Sequence, residues 1–305
     1  MRCIVTGGAG FIGSHISNQL IVNGHNVMVV DNFSSGKQEN IPDGAKLCEA
    51  DINDFESLKP LVDYQPEAIV HLAAQISVRK SVENPVFDGQ TNILGTVHLA
   101  QIGLECNVKK FIFTSTGGAI YGEQSQFPAT EDHPVCPESP YGLSKYCAEQ
   151  YLDYLHRKES LNYIVLRFAN IYGPRQDPHG EAGVVAIFTK RMLANNTPRI
   201  NGDGEQTRDF VYVEDAAQAA VETLESPVQK GVFNIGTGIE TNINTLALEI
   251  QKHAKYQGDI VHGPAMPGEQ RRSVICSDLA KTTFDWAPNT SLSTGLAKTV
   301  DWFRK

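Results

Sequence analysis

"VTGGAGFIGSH", Val5 to His15, decides the fold. Gly8, Gly10 and Gly13 satisfy G-x-G-x-x-G, and Gly7 adds a second reading, G-x-x-G-x-x-G. A β-branched apolar run, Cys3–Thr6, leads in, and an amphipathic segment, Gly13–Asn23, leads out. Between a strand and a helix, glycines allow a tight turn, close approach of backbone to a pyrophosphate, and close packing of helix on strand. The helix N-terminus then offers free N–H groups and the positive end of its dipole to phosphate. Eighteen residues after Gly13, Asp31 ends the next β-branched run. A carboxylate there accepts hydrogen bonds from an adenosine ribose and repels a 2′-phosphate. A lone glycine pattern is only a flexible turn. Strand, glycine turn, helix and acid together predict an NAD site, with NAD preferred over NADP and Lys37 the one nearby cation that works against the preference.

The same alternation continues outward. Strand-like runs at Asn26–Asp31, Lys46–Ala50, Ala68–Leu72, Phe111–Ser115 and Tyr163–Phe168 are separated by helical stretches such as Thr91–Cys106 and Pro140–Arg157. Continuous apolar strands between helices predict βαβ units: an α/β fold with a doubly wound parallel sheet of Rossmann type. From about Gly173 the pattern loosens into Pro- and Gly-rich stretches with short helices, a smaller α/β cap over the sheet's carboxyl edge. The expected division is 1–168 for the dinucleotide, with segments around 209–237 returning to it, and 169–305 mainly for substrate.

Composition narrows the function. A chain of 305 residues with 41% apolar and 20% charged residues is an ordinary globule with room for a sizeable core. Its net charge of −9 and lack of a long Lys/Arg run argue against nucleic acid and anionic membranes as partners. No stretch nears the ~20 apolar residues of a membrane span. The N-terminus enters a strand directly, so a cytoplasmic protein is expected. Six scattered cysteines without a CxxC pair read as small hydrophobes, and nine histidines without HxxxH or HExxH spacing predict no metal.

"SPYGLSKYCAEQ" (139–150) places Tyr141 and Lys145 four residues apart near a helix start, on one face. A free tyrosine, with a pKa of ~10, is a poor base; a neighbouring ammonium and a positive nicotinamide favour the phenolate. "FTSTGGAIYGE" (113–123) ends a strand with the hydroxyls of Ser115 and Thr116, then removes side chains at Gly117 and Gly118. Asp51-Ile52 follows the third strand, within reach of an adenine amine. "HLAAQ" (71–75) follows the fourth, with small residues where backbone passes a cofactor; His71 itself reads as a core histidine.

With these motifs in order, joined by "RFANIYGPR", "GDGEQTRDFVYVEDAA" and "FNIGTG", the chain resembles the extended short-chain dehydrogenase/reductase family over its whole length. Within that family it is similar to the UDP-glucose (UDP-galactose) 4-epimerases. The resemblance implies NAD contacts from Gly7, Gly10, Phe11, Ile12 and Gly13, from Asp31, Asn32, Asp51 and Ile52, from Leu72, Ala73, Ala74 and Gln75, and from Asn92, Tyr141 and Lys145. It implies Tyr141 as proton acceptor at the sugar 4′-hydroxyl and a Ser or Thr hydroxyl beside it. Relatives commonly put that hydroxyl four residues before the "YG" tyrosine, here Tyr121, yet this position is Gly117. Strand alternation gives Ser115 the facing of position 117 and turns Thr116 away. The glycines, however, free the backbone, so Thr116 is the first expectation and Ser115 the second. Related dehydratases carry an Asp-Glu pair beside this hydroxyl, which Gly117-Gly118 cannot replace.

The resemblance also implies a sugar-nucleotide site. Asn170 serves the diphosphate or sugar, Arg208 the phosphate, Val184 and Val185 the uracil, and Glu269 the uridine ribose. Met266 stands where relatives have arginine, which moves the phosphate charge to Arg271. Ser273 occupies the position of a bulky aromatic gate, so N-acetylated hexoses are expected to enter. A homodimer is expected over Thr91–Cys106 and Tyr141–Arg157. The alternatives are a sugar-nucleotide decarboxylase, which needs a cation for the substrate carboxylate, a reductase, which consumes cofactor, and a non-catalytic NAD sensor, which needs no Tyr141–Lys145 pair.

Overall fold

The computed structural model describes residues 1–178, 183–266 and 268–305. Its strands are β1 (Arg2–Thr6), β2 (Asn26–Asp31), β3 (Lys46–Glu49), β4 (Ala68–His71), β5 (Lys110–Thr116), β6 (Tyr163–Phe168), β7 (Asn170–Tyr172), β8 (Arg199–Asn201), β9 (Thr207–Tyr212), β10 (Lys230–Ile235), β11 (Glu240–Asn242) and β12 (Val261–Gly263). Seven of these form one parallel sheet in the order β10-β6-β5-β4-β1-β2-β3. Two small sheets, β11-β9-β7 and β12-β8, are built from the C-terminal half of the chain.

The helices are α1 (Phe11–Val22), α2 (Pro60–Asp63), α3 (Val78–Glu83), α4 (Pro85–Gly89), α5 (Gly95–Glu105), α6 (Pro140–Glu159), α7 (Val184–Leu193), α8 (Val213–Glu225), α9 (Ile243–Ala254), α10 (Asp278–Phe284) and α11 (Leu292–Phe303). Alternate strand residues feed two cores on opposite sheet faces, as the pleat requires. Val5, Val70, Ile112 and Ile164 join Ile16 and Leu20 of α1 and Ala216 and Ala220 of α8. Ile4, Ile69, Phe111 and Val165 join Leu99 of α5 and Ala148 and Leu152 of α6. This is the doubly wound sheet expected from the alternation of elements.

Two details of the fold shape the site. Strand order reverses between β1 and β4, so a crevice opens at their carboxyl ends, where ligands of such sheets sit. The helix expected over Thr91–Cys106 does not run regularly: Gln90–Leu94 forms a π-helical turn before α5 begins. The Thr96 hydroxyl donates to the Asn92 carbonyl at 2.8 Å, a local competitor for helical bonding at that bulge.

Candidate active site

The crevice floor is the glycine turn. Gly7 has a φ of +67°, and a Cβ there would lie 2.9 Å from the Ala73 nitrogen. At Gly13 a Cβ would collide with the Gly7 carbonyl oxygen. Both therefore serve the close crossing of turn, α1 and the segment after β4. The hydroxyl of Thr6 ties that crossing by accepting from the backbone N–H groups of Leu72 and Ala73. A Cβ at Gly10 would approach only the Gly7 oxygen, at 3.1 Å. Gly10 is the N-cap of α1, makes no side-chain cap, and is followed by no acid in the first turn. The leading N–H groups, at Phe11 and Ile12, thus have no capping side chain.

Asp31 anchors the same turn. Its carboxylate accepts from Ala9 N–H at 3.0 Å and Phe33 N–H at 2.9 Å. Lys37 does not reach it; its ammonium pairs with exposed Glu39. Burial alone raises the Asp51 pKa, but bonds from Asn53 and Asn32 outweigh it and leave the carboxyl below the usual value. Ile52 is buried against Gly95. Ala74 is partly exposed, whereas Gln75 and Asn92 are buried and knit to each other: Gln75 N–H donates to Asn92 Oδ1, and Asn92 Nδ2 donates to the Gln75 carbonyl, both at 2.9 Å. Their amides are turned inward, so what they hold is the loop. His71 is a satisfied core histidine between the hydroxyls of Thr6 (2.7 Å) and Thr96 (3.0 Å).

Helix α6 carries Tyr141 and Lys145. Ser139 caps it by accepting from Gly142 N–H at 3.1 Å, and Pro140 occupies its first turn. Lys145 is 3% exposed, donates to the Thr114 carbonyl at 2.9 Å and lies 4.5 Å over the Phe113 ring. Burial pulls its pKa down to about 8, against the raising effects of Glu149 and then Asp88. The Tyr141 phenol stands beside the Thr116 hydroxyl, which favours the phenolate; burial outweighs that and pushes the pKa up to about 12. Thr116 also accepts from Ala119 N–H at 3.1 Å. Ser115 is buried, and its hydroxyl has no partner among the described residues. Thr116 meets the phenol without unusual backbone: β5 runs through it, and the glycine turn starts only afterwards. Strand facing does not carry backward across that turn, which is why alternation points to Ser115 instead.

Beyond the turn the C-terminal half closes in. A Cβ on Gly117 would lie 2.6 Å from Ile275 Cδ1, so any larger residue here would have to displace the Ile275 side chain. A Cβ on Gly118 would stand at ordinary distances from Asn170 Oδ1 (3.9 Å), Ser273 Oγ (4.0 Å) and Thr116 Oγ1 (4.0 Å). The small residue thus leaves room beside three polar side-chain oxygens. Arg208 donates to the Thr207 carbonyl and stands 3.6 Å from Glu269. Its neighbours in sequence are otherwise engaged: Asp209 by Thr237 and Gly238, Glu205 by Asn242 and Asn244. Two expectations need correction. Val185 is 1% exposed within the hydrophobic core, leaving only Val184 partly exposed at the start of α7. Arg271 is not aimed inward; its guanidinium makes a bidentate pair with Asp203 on the surface, at 2.8 and 3.0 Å.

The sequence matches the profile of the NAD dependent epimerase/dehydratase family over residues 3–236. The chain belongs to that family. It is 43% identical to the UDP-glucose 4-epimerase of Mycolicibacterium smegmatis, over 100% of this chain and 99% of that protein. Its fold is similar to the crystal structure of Thermotoga maritima UDP-glucose 4-epimerase with UDP-glucose (TM-score 0.97, 48% identity, 100% and 99% of the two chains covered). It is also similar to Thermus thermophilus UDP-glucose 4-epimerase in complex with NAD (TM-score 0.95, 40% identity, 100% and 99% covered).

The epimerase/dehydratase family takes its name from NAD, and the residues present fit that cofactor. An uncapped helix N-terminus behind Gly10 suits a diphosphate, buried Asp31 suits a ribose, and a Tyr–Lys pair stands beside the crevice. Sequence patterns alone do not single out Asp88 and Ser144, which the structure ties to Asn92. Only the i, i+4 spacing of Asp88 and Asn92 hints at that link.

Proposed function

We propose that the protein inverts C4′ of a UDP-hexose through a transient 4′-keto sugar, working as a cytoplasmic homodimer. The observation that carries this reading is the contact of Tyr141 with Thr116, above a buried lysine and beside Gly117 and Gly118, which offer neither an acid nor a base. Water elimination needs an acid and a base there; reversal of a keto sugar needs open space.

Tyr141, as phenolate, takes the 4′-hydroxyl proton and later returns it, while the Thr116 hydroxyl holds the 4′-oxygen. The Lys145 ammonium favours the phenolate by its charge. NAD, when bound, takes up and returns the C4′ hydride and adds a positive charge that further favours the phenolate. Arg208 meets the diphosphate; its burial depresses its pKa, and partial pairing with Glu269 leaves donors for phosphate. Glu269 serves the uridine ribose, Val184 the uracil and Asn170 the sugar. Diphosphate tethering with few sugar contacts permits both faces of the keto sugar to be presented. Ser273 is small enough for an N-acetyl group, which adds UDP-GlcNAc and UDP-GalNAc to UDP-glucose and UDP-galactose.

The dimer reading is supported by exposed Leu94 beside α5 and exposed Leu143, Tyr151 and Tyr154 on α6. The cytoplasmic reading is supported by six cysteines that are all free thiols. No helix among the described residues is long and apolar enough to cross a membrane. The test of the reaction is Tyr141→Phe, which should lose turnover and keep NAD. Retained turnover would overturn it.

A further inference from the structure

Asp88 is an acid that the proposed mechanism does not use. It is 1% exposed, on the short helix α4 packed against the start of α6. Its Oδ1 accepts from Gln75 Nε2 at 2.8 Å and Asn92 Nδ2 at 3.1 Å. Its Oδ2 is buried with no hydrogen-bonding partner among the described residues. The residue also borders an open surface pocket of about 490 Å³, together with Glu138, Ser139, Ser144 and Cys147.

From Asp88 the contacts lead through Asn92 and Ser144 to the backbone of Tyr141. Asn92 Nδ2 also donates to the Ser144 hydroxyl at 3.1 Å, and that hydroxyl donates to the Tyr141 carbonyl at 3.0 Å. Ser144 precedes Lys145. An amide at position 88 would accept the same two hydrogen bonds through its own oxygen. The knitting of the loop therefore does not require a carboxylate, and a half-satisfied buried anion is an expensive way to achieve it. What the carboxylate adds is charge, in surroundings where charge acts at range.

We propose that Asp88 is a positioning residue whose buried negative charge holds Lys145 as an ammonium beside Tyr141. The proposal rests on the reading of Tyr141 and Lys145 as the catalytic pair. Its direction agrees with the raising effects of Asp88 on both Lys145 and Tyr141. The other groups facing this cluster are Glu149 on α6, His71 on β4 and Glu138 before α6. The Gln90–Leu94 turn carries no charge, and Arg79, Lys80 and Glu83 of α3 are exposed. Glu149 is already committed to a bidentate pair with Arg167, and Glu138 is exposed, which leaves Asp88 the buried acid of the cluster with no ion pair among the described residues.

The sign is specific. Without the negative charge, Lys145 loses its proton more readily and so does Tyr141. Activity needs phenolate and ammonium together, so both limbs of the pH profile must move to lower pH. The test compares kcat against pH on UDP-galactose for the wild type, Asp88→Asn and Asp88→Glu, all NAD-loaded. In parallel, phenolate ultraviolet absorbance is titrated against a Tyr141→Phe reference. Asp88→Asn should shift both limbs and the phenolate titration downward by on the order of one pH unit, while Asp88→Glu should keep the wild-type limbs. A folded Asp88→Asn with unmoved phenolate titration and unmoved limbs overturns the proposal, however much its kcat falls. Should Asp88→Asn fail to fold, Asp88→Ser, which also removes the charge in a smaller side chain, reads the same shift. A wild type inactive on UDP-galactose would sink the proposed reaction instead, and the phenolate titration would still decide Asp88.

Discussion

Replacing Glu149 by glutamine should damage the protein twice, in stability and in the charge of its catalytic lysine. Glu149 and Arg167 are both almost wholly buried, their side chains 2% and 5% exposed, and joined by two bonds of 3.1 and 2.6 Å. Arg167 also donates to the Tyr121 hydroxyl at 2.9 Å, and that hydroxyl donates to Asn234 at 2.7 Å. The amide leaves a guanidinium in the interior without its counter-charge, a loss of roughly 3–5 kcal/mol. At ~2.1 cal/mol/K of unfolding entropy per residue, a chain of 305 residues then melts about 5–8 °C lower. Denaturant unfolding monitored by circular dichroism gives the free energy, and a thermal scan gives the shift. The paired change Glu149→Leu with Arg167→Met should recover much of the loss, because an apolar pair carries no desolvation penalty. Glu149 is also the stronger of the two acids holding the Lys145 pKa up, so the basic limb of activity should move down in Glu149→Gln. A Glu149→Gln protein within about 1 kcal/mol of wild type would refute the reasoning about this pair.

Three further changes probe the site and its frame. Thr116→Val keeps shape and removes the hydroxyl beside Tyr141, so kcat should fall on the order of 100-fold with little change in KM, read by steady-state kinetics. Ser273→Tyr fills the room beside Gly118 and should cut turnover of UDP-GlcNAc at least ~10-fold relative to UDP-glucose; an unchanged ratio would remove Ser273 as a gate. Burial lowers the His71 pKa to about 3, so folded His71 stays neutral while the unfolded residue gains a proton near pH 6.5. Its contribution to stability is complete above that pH and is lost as pH falls toward 3, amounting to ~2 kcal/mol between pH 7 and 5. Unfolding titrations at those two values check it.

The parts of the molecule governed by local rules were legible in the chain. A β-branched run, a turn that only glycine can take and a helix start are contiguous, so β1, α1 and β2 could be read from about thirty residues. Tyr141 and Lys145 were equally local, because helical spacing alone sets their shared face. Thr116 was harder: its facing depended on where β5 stops, and the strand continues to the last residue before the glycines. Val185 and Arg271 were misplaced for a different reason. Val185 is claimed by a core assembled from distant segments, and Arg271 by Asp203, its partner 68 positions away. Pairings over such separations leave no mark in local spacing. Asp88 was invisible as a charge because its burial depends on α6 packing over a helix of only five residues.

The central claim meets its most direct test in product analysis. The purified, NAD-loaded protein is incubated with UDP-galactose and, separately, UDP-GalNAc, without added reductant, while NADH absorbance is followed. Inversion by the Tyr141–Thr116 site predicts both 4′-epimers, formed toward equilibrium with no net change in NADH. No conversion of either nucleotide sugar, or a product formed only as cofactor is consumed, would contradict it.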